Sequence, residues 1–89
     1  MKVEFDKSFE KSLGRINDQR LLERVEGAIL KAEAASSLEE LSNVKKLIGF
    51  SAFYRMKIGD YRLGFEKIDE QTIRFIIICH RKDIYKKFP

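Results

Sequence analysis

Five apolar residues in unbroken succession, Phe75-Ile76-Ile77-Ile78-Cys79, set the strongest constraint on how this chain folds. A short run of this kind, apolar on both faces, belongs to a strand inside a sheet that is covered on both sides. A strand over 72–80 therefore needs strand neighbours and cover, and the rest of the 89 residues must supply them. Upstream, 53–58 alternates polar and apolar residues and stops at Gly59-Asp60, a pair suited to a tight hairpin turn. The return strand is expected over 61–68 and ends at Asp69-Glu70-Gln71, read as a second hairpin turn rather than a carboxylate dyad. Near the start, Lys2-Val3-Glu4-Phe5-Asp6 alternates as a half-buried strand does.

Cover comes from two amphipathic helices. Asp6 or Ser8 caps the first, in which Phe9, Leu13 and Ile16 share a face and Gly14, Asn17 and Asp18 mark the end. The second is expected over about 18–35, with Leu21, Leu22, Val25, Ala28, Ile29 and Ala32 as its apolar stripe. Helices this short are not stable in water alone, so the hairpin must pack on something. Leu38, Leu41, Val44 and Leu47 continue an apolar spacing through a turn-rich or helical link, and 81–88 forms a basic tail with room for one helical turn. The expected fold class is α+β: a small, mostly antiparallel sheet, in the order β-α-α-β-β-β plus a short C-terminal tail, with a helical hairpin packed on one face. The length suits one domain over 1–89.

Charge divides the chain. Residues 1–44 hold seven Lys/Arg and nine Asp/Glu, a net −2, whereas 45–89 hold eleven and five, a net +6. A basic half on so small a protein attracts polyanions, although a solvated surface has the same composition. One cysteine rules out an internal disulfide, and one Cys with one His cannot make a Cys-based zinc site, so no metal or cofactor is expected. No apolar stretch follows the basic start or approaches the ~20 residues a membrane span needs, so no membrane partner is expected and the cytoplasm is the expected location.

Alternation gives the basic residues a geometry. Arg55 and Lys57 share one face of their strand and Tyr54, Met56 and Ile58 the other; in the return strand Arg62, Gly64 and Glu66 oppose Tyr61, Leu63 and Phe65. If the strands are neighbours, Arg55, Lys57, Arg62 and Arg81 converge on one open sheet face, where a polyanion offsets their repulsion. Arginines grip phosphate oxygens in bidentate fashion, Tyr85 stacks on an unstacked base, and Gly64 leaves room for a backbone or base to approach the sheet. Basic residues also blunt edge strands, so residue type alone leaves both readings open.

The segment Tyr54-Arg55-Met56-Lys57-Ile58-Gly59-Asp60-Tyr61-Arg62-Leu63-Gly64-Phe65 resembles the YRxRxGxYR block of RelE/ParE superfamily toxins from type II toxin–antitoxin systems. Ile78-Cys79-His80-Arg81-Lys82-Asp83-Ile84-Tyr85 is similar to their HRxxVY close, and the element order agrees over nearly the whole chain. Likeness to the RelE branch implies a metal-independent endoribonuclease (an mRNA interferase) that cleaves mRNA in the ribosomal A site by attack of the 2′-hydroxyl on the adjacent phosphate. It implies Lys57 as general base or transition-state stabiliser, Arg62 on the scissile phosphate, Arg81 at the leaving 5′-oxygen and Tyr85 on the base. Arg55 stands where that branch often has a second lysine; being always protonated, arginine is a poor base and a good phosphate clamp. Lys82 and the tail lysines contact phosphates or an acidic partner, and Lys45-Lys46 contact rRNA or sit in a solvated loop. His80 should point away from Arg81 in a structural role, and Cys79 should be core. The resemblance implies a cognate antitoxin, the ribosome and mRNA as partners. The alternatives are a ParE-like DNA gyrase inhibitor without nuclease activity, or a degenerate member that only binds its antitoxin.

Overall fold

The computed structural model describes residues 1–89. In chain order it contains β1 (Lys2–Phe5), α1 (Lys7–Gly14), α2 (Gln19–Ala34), a 3-10 turn (Leu38–Glu40), β2 (Val44–Lys46), β3 (Phe53–Ile58), β4 (Tyr61–Asp69), β5 (Thr72–His80) and α3 (Ile84–Lys87). The strands form one sheet in the order β1-β5-β4-β3-β2, antiparallel except for the β1–β5 pair. The expected α+β architecture is present, with one strand more than the sequence pattern declared. The stretch read as a link becomes the edge strand β2, so Lys45 and Lys46 lie on a strand and not in a loop. With one apolar residue in three, β2 has no alternation to read; pairing with β3 alone makes it a strand.

α1 starts after Asp6, one of its two expected caps, and α2 starts after Asp18, a residue expected only to mark the turn between the helices. The Asp6 carboxylate accepts from the Ser8 N–H at 3.0 Å, and Asp18 accepts from the N–H groups of Arg20 and Leu21 at 3.0 and 3.3 Å. Each bond satisfies a main-chain donor that has no partner inside the helix. Their apolar faces bury Phe9, Leu21, Val25 and Ala32 against Met56, Ile58, Leu63, Phe65, Ile73, Phe75 and Ile78 of the sheet. Fully burying a side chain of the Leu, Phe or Met size is worth about 1.5–3 kcal/mol, so this layer carries most of the driving force.

Alternation in β5 breaks once. Gly64 pairs with Ile77 but Phe65 pairs with Phe75, so Ile76 is an extra residue, a β-bulge. The bulge explains why Phe75 and Ile78, three apart, both face the helices. Beyond Phe75, β1 no longer borders β5, and two α1 serines one turn apart take its place. Ser12 Oγ accepts from the Ile78 N–H at 3.0 Å while its own hydroxyl donates to the Phe9 carbonyl at 2.9 Å. The Ser8 hydroxyl lies 2.5 Å from both the Ile76 carbonyl and the Asp6 carboxylate, and its single hydrogen serves one of them at a time.

The opposite sheet face is covered over part of its area by the chain's own end. Leu47, Cys79, Ile84 and Phe88 form a second, smaller cluster, with Phe53, Ile76 and Ile77 packed against it. The apolar run of β5 is thus covered on both faces as its composition demands. The tail is more than a basic extension, because Ile84 and Phe88 turn inward from α3 and are 2% and 4% exposed.

Candidate active site

Strand register places the basic residues. Lys45, Arg55, Gly64 and Ile77 lie in one row across β2, β3, β4 and β5, and Lys57, Arg62 and Cys79 lie in the next. Directly paired residues project from the same face, so Lys45, Arg55, Lys57 and Arg62 all stand on the face away from the helices. Lys57 and Arg62 are direct cross-strand partners, which sets their Cβ atoms about 4.5–5.5 Å apart. Lys46 pairs with Tyr54, whose ring packs into the helix-side core, so it points away from this set.

Each cation is held differently. Arg62 Nη1 donates to the carbonyls of Gly59 and Tyr61, both at 2.9 Å, and so is braced on the β3–β4 turn while its Nε and Nη2 have no protein acceptor. That turn needs glycine: Gly59 has φ +59°, and no residue other than glycine has a positive φ, the pattern of a type II′ hairpin. Arg81 follows β5, and its N–H donates to the Asp60 carbonyl at 2.8 Å, which puts its main chain at the same end of the sheet as Arg62; its side chain is exposed. Arg55 lies under Tyr85, with its guanidinium carbon 5.1 Å from the ring centroid. Tyr85 is 70% exposed, so the outer face of its ring is open to solvent. Lys82 is exposed on the turn before α3.

Lys45, Arg55, Lys57, Arg62, Arg81 and Lys82 have no ion-pair partner. The three salt bridges are Lys2–Glu4, Lys67–Glu70 and Arg74–Glu4. Arg74 also lies on the outer face but is neutralised by Glu4 at 3.0 Å. Neighbouring like charges repel by about 1 kcal/mol at 4 Å even in water, so an unpaired set at one end of a sheet favours an anionic ligand.

Two residues stand elsewhere than in this set. His80 pairs with Tyr61 on the helix side, its ring edge-on to that tyrosine at 5.6 Å, and its Nδ1 accepts from the Lys82 N–H at 3.2 Å. Cys79 is buried under α3, and burial pushes its thiol pKa up, which suits packing and not nucleophilic attack. Gly64 is a correction. The space above it is not open to a ligand: a Cβ there would meet the Phe88 ring at 2.7 Å. Sequence reasoning missed Phe88 altogether, and its only signal was the spacing of four from Ile84.

Fold and site together define a small α+β protein with a helical hairpin on one sheet face and an uncompensated cationic set on the other. Residues 3–85 match the family model described as ParE toxin of type II toxin-antitoxin system, parDE. The chain belongs to this family of toxins, in its RelE-like branch. Toxin RelE3 of Methanocaldococcus jannaschii is 37% identical over 90 residues, covering 100% of both chains. Among solved structures, the RelB–RelE antitoxin–toxin complex from Methanococcus jannaschii superposes with a TM-score of 0.79 at 32% identity, covering 97% of this chain and 99% of that one. The archaeal RelE–RelB complex from Pyrococcus horikoshii OT3 gives a TM-score of 0.70 at 23% identity, over 90% and 93% of the two chains, a likeness of fold.

Proposed function

We propose that this toxin is a ribosome-dependent mRNA endonuclease that cleaves in the A site. The observation that carries the reading is the row pair Arg55/Lys57/Arg62, unpaired with any carboxylate and flanked by the exposed ring of Tyr85. In this reading the 2′-oxygen of one nucleotide attacks the adjacent phosphorus as the P–O5′ bond breaks, leaving a 2′,3′-cyclic phosphate and a 5′-hydroxyl. Arg62, braced by the turn, holds the phosphate with its free edge. Lys57 sits opposite it as base or as the cation that stabilises the dianionic phosphorane. Arg81 neutralises charge on the leaving 5′-oxygen or gives it the proton that completes the 5′-hydroxyl, Tyr85 stacks on the base, and Lys45 and Lys82 extend the phosphate track. Fixed cations aimed at developing charge supply the largest share of the barrier reduction, and the ribosome supplies substrate placement. No step in this scheme uses a metal or a cofactor. A ribosomal substrate places the work in the cytoplasm.

The partner that holds the toxin inactive is a cognate antitoxin, in line with the solved complexes of the relatives. The basic face calls for acidic side chains in that partner, and hence for an affinity that falls with salt; an affinity indifferent to salt would contradict this electrostatic account.

The matching family model is described as a ParE toxin, and resemblance to the ParE branch implies a second reading, inhibition of DNA gyrase without RNA cleavage. One experiment separates the two: purified toxin is added to translating ribosomes and mRNA 5′ ends are mapped, beside a supercoiling assay. Codon-phased ends support the nuclease, and intact mRNA with blocked supercoiling supports the gyrase reading. If neither occurs, the chain is a member that only binds its antitoxin.

A further inference from the structure

We propose that Gly64 is a positioning residue for Tyr85: the side chain it lacks is the seat of the Phe88 ring, and that seat fixes the helical turn on which Tyr85 meets Arg55. The inference rests on the nuclease reading of Tyr85 and extends it to residues that touch no substrate.

Gly64 lies in the interior of β4, where a glycine weakens a strand, and its φ is not positive, so the backbone conformation does not ask for it. What does ask for it is the close approach of Phe88. A methyl group on Gly64 would lie 2.7, 2.7 and 2.9 Å from three atoms of that ring. The ring is boxed in on a second side by Phe53, edge-on at a centroid distance of 5.5 Å and an interplanar angle of 86°.

Phe88 matters because of what it anchors. α3 has four residues, far too few to hold a helical turn by its own hydrogen bonds. Ile84 and Phe88, four apart, fall on one side of the turn and are both buried against the sheet. Tyr85, one residue beyond Ile84, is carried about 100° round and emerges over Arg55. Arg55 is itself the cross-strand partner of Gly64. One row of the sheet therefore supplies both the socket for the anchor and the cation beneath the tyrosine.

A β-carbon at Gly64 requires the ring to retreat by about 1 Å to reach ordinary van der Waals separation. The turn must lift with it, because its two anchors share one face. Active-site groups tolerate about 0.5 Å of misplacement, and about 1 Å is enough to lower a rate by roughly a hundredfold.

The test uses Gly64→Ala, Phe88→Ala, Tyr85→Ala and their combinations. Cleavage is measured on ribosomes programmed with a defined mRNA, and the Arg55 side-chain resonances are followed by NMR, since the Tyr85 ring current shifts them upfield. Gly64→Ala is expected to remain folded by circular dichroism, to lose the ring-current shift, and to cleave about 10- to 100-fold more slowly. In a Tyr85→Ala background it should have no further effect, because the residue it positions is gone; a purely structural role would add its own loss. Should Gly64→Ala fail to fold, Phe88→Ala removes the anchor without adding an atom, and the same two losses are expected. The proposal is overturned if the shift persists in Gly64→Ala, or if cleavage persists there while Tyr85→Ala is impaired. If Tyr85→Ala cleaves as well as wild type, the nuclease role of Tyr85 falls, and the Arg55 resonances alone decide the seat.

Discussion

The guanidinium carbon of Arg55 lies 5.1 Å from the centroid of the Tyr85 ring, joining the middle of a β-strand to a one-turn helix 30 residues later in the chain. The sequence suggests Arg55 as a phosphate clamp, but its position gives it a second task, holding the tyrosine plane. An exposed cation–π contact is worth about 0.5–1 kcal/mol and depends on the flat guanidinium. Arg55→Lys keeps the charge and loses the stacking plane, so cleavage on programmed ribosomes is expected to fall about threefold to fivefold. Arg55→Ala should fall further. Equal activity in wild type and Arg55→Lys would show that charge alone matters at this position.

The pairing of Lys57 with Arg62 predicts a salt dependence. Each phosphate neutralised on single-stranded RNA contributes about 0.7 to the slope of log K against log salt. Lys57→Ala and Arg62→Ala should each reduce the slope by roughly that amount when binding of an RNA oligonucleotide is measured across a salt series. Lys46→Ala, on the opposite face, should leave it unchanged. A Lys46→Ala effect as large as that of Lys57→Ala would refute the face assignment.

Ser12 predicts a loss of stability without a loss of chemistry. Its Oγ is the acceptor for the Ile78 N–H beside the bulge, a donor without a strand neighbour on that side. An unsatisfied buried donor costs about 1–3 kcal/mol, partly offset by the better helix propensity of alanine. Ser12→Ala should therefore lose about 1 kcal/mol, roughly 4–8 °C in Tm for a protein of this size, in urea and thermal unfolding. A change below the error of the measurement would mean that water replaces the hydroxyl.

Two aspartates predict the acid limb of stability. Hydrogen bonds from the Ser8 hydroxyl and then its N–H hold the Asp6 carboxyl below the usual aspartate pKa, and the Gln71 N–H, followed by the Thr72 hydroxyl, does the same for Asp69. Both groups bind protons less readily folded than unfolded. Their contribution is therefore complete above the unfolded pKa, about 4, and is lost as pH falls through the lower folded values. Asp6→Asn with Asp69→Asn keeps the capping geometry and removes the titration, so unfolding free energy measured between about pH 2 and pH 5 should vary less with pH than in wild type. An unchanged slope would place the acid sensitivity in other carboxylates.

Much of this protein is decided locally and is therefore visible in its sequence. Asp6 and Asp18 start the helices where they stand because their carboxylates reach main-chain donors within three residues. Gly59 makes the β3–β4 turn by its own φ, and the period-two pattern of β3 and β4 puts Arg55, Lys57 and Arg62 on one face before any neighbour is known. What only the tertiary structure decides is every feature set by a partner distant in the chain. Val44-Lys45-Lys46 is a strand because β3 borders it, Gly64 is closed to ligand because Phe88 arrives 24 residues later, and Ser12 completes β5 across 66 positions. Periodicity records which side of an element is apolar; which group meets it there depends on packing, and packing has no local signature.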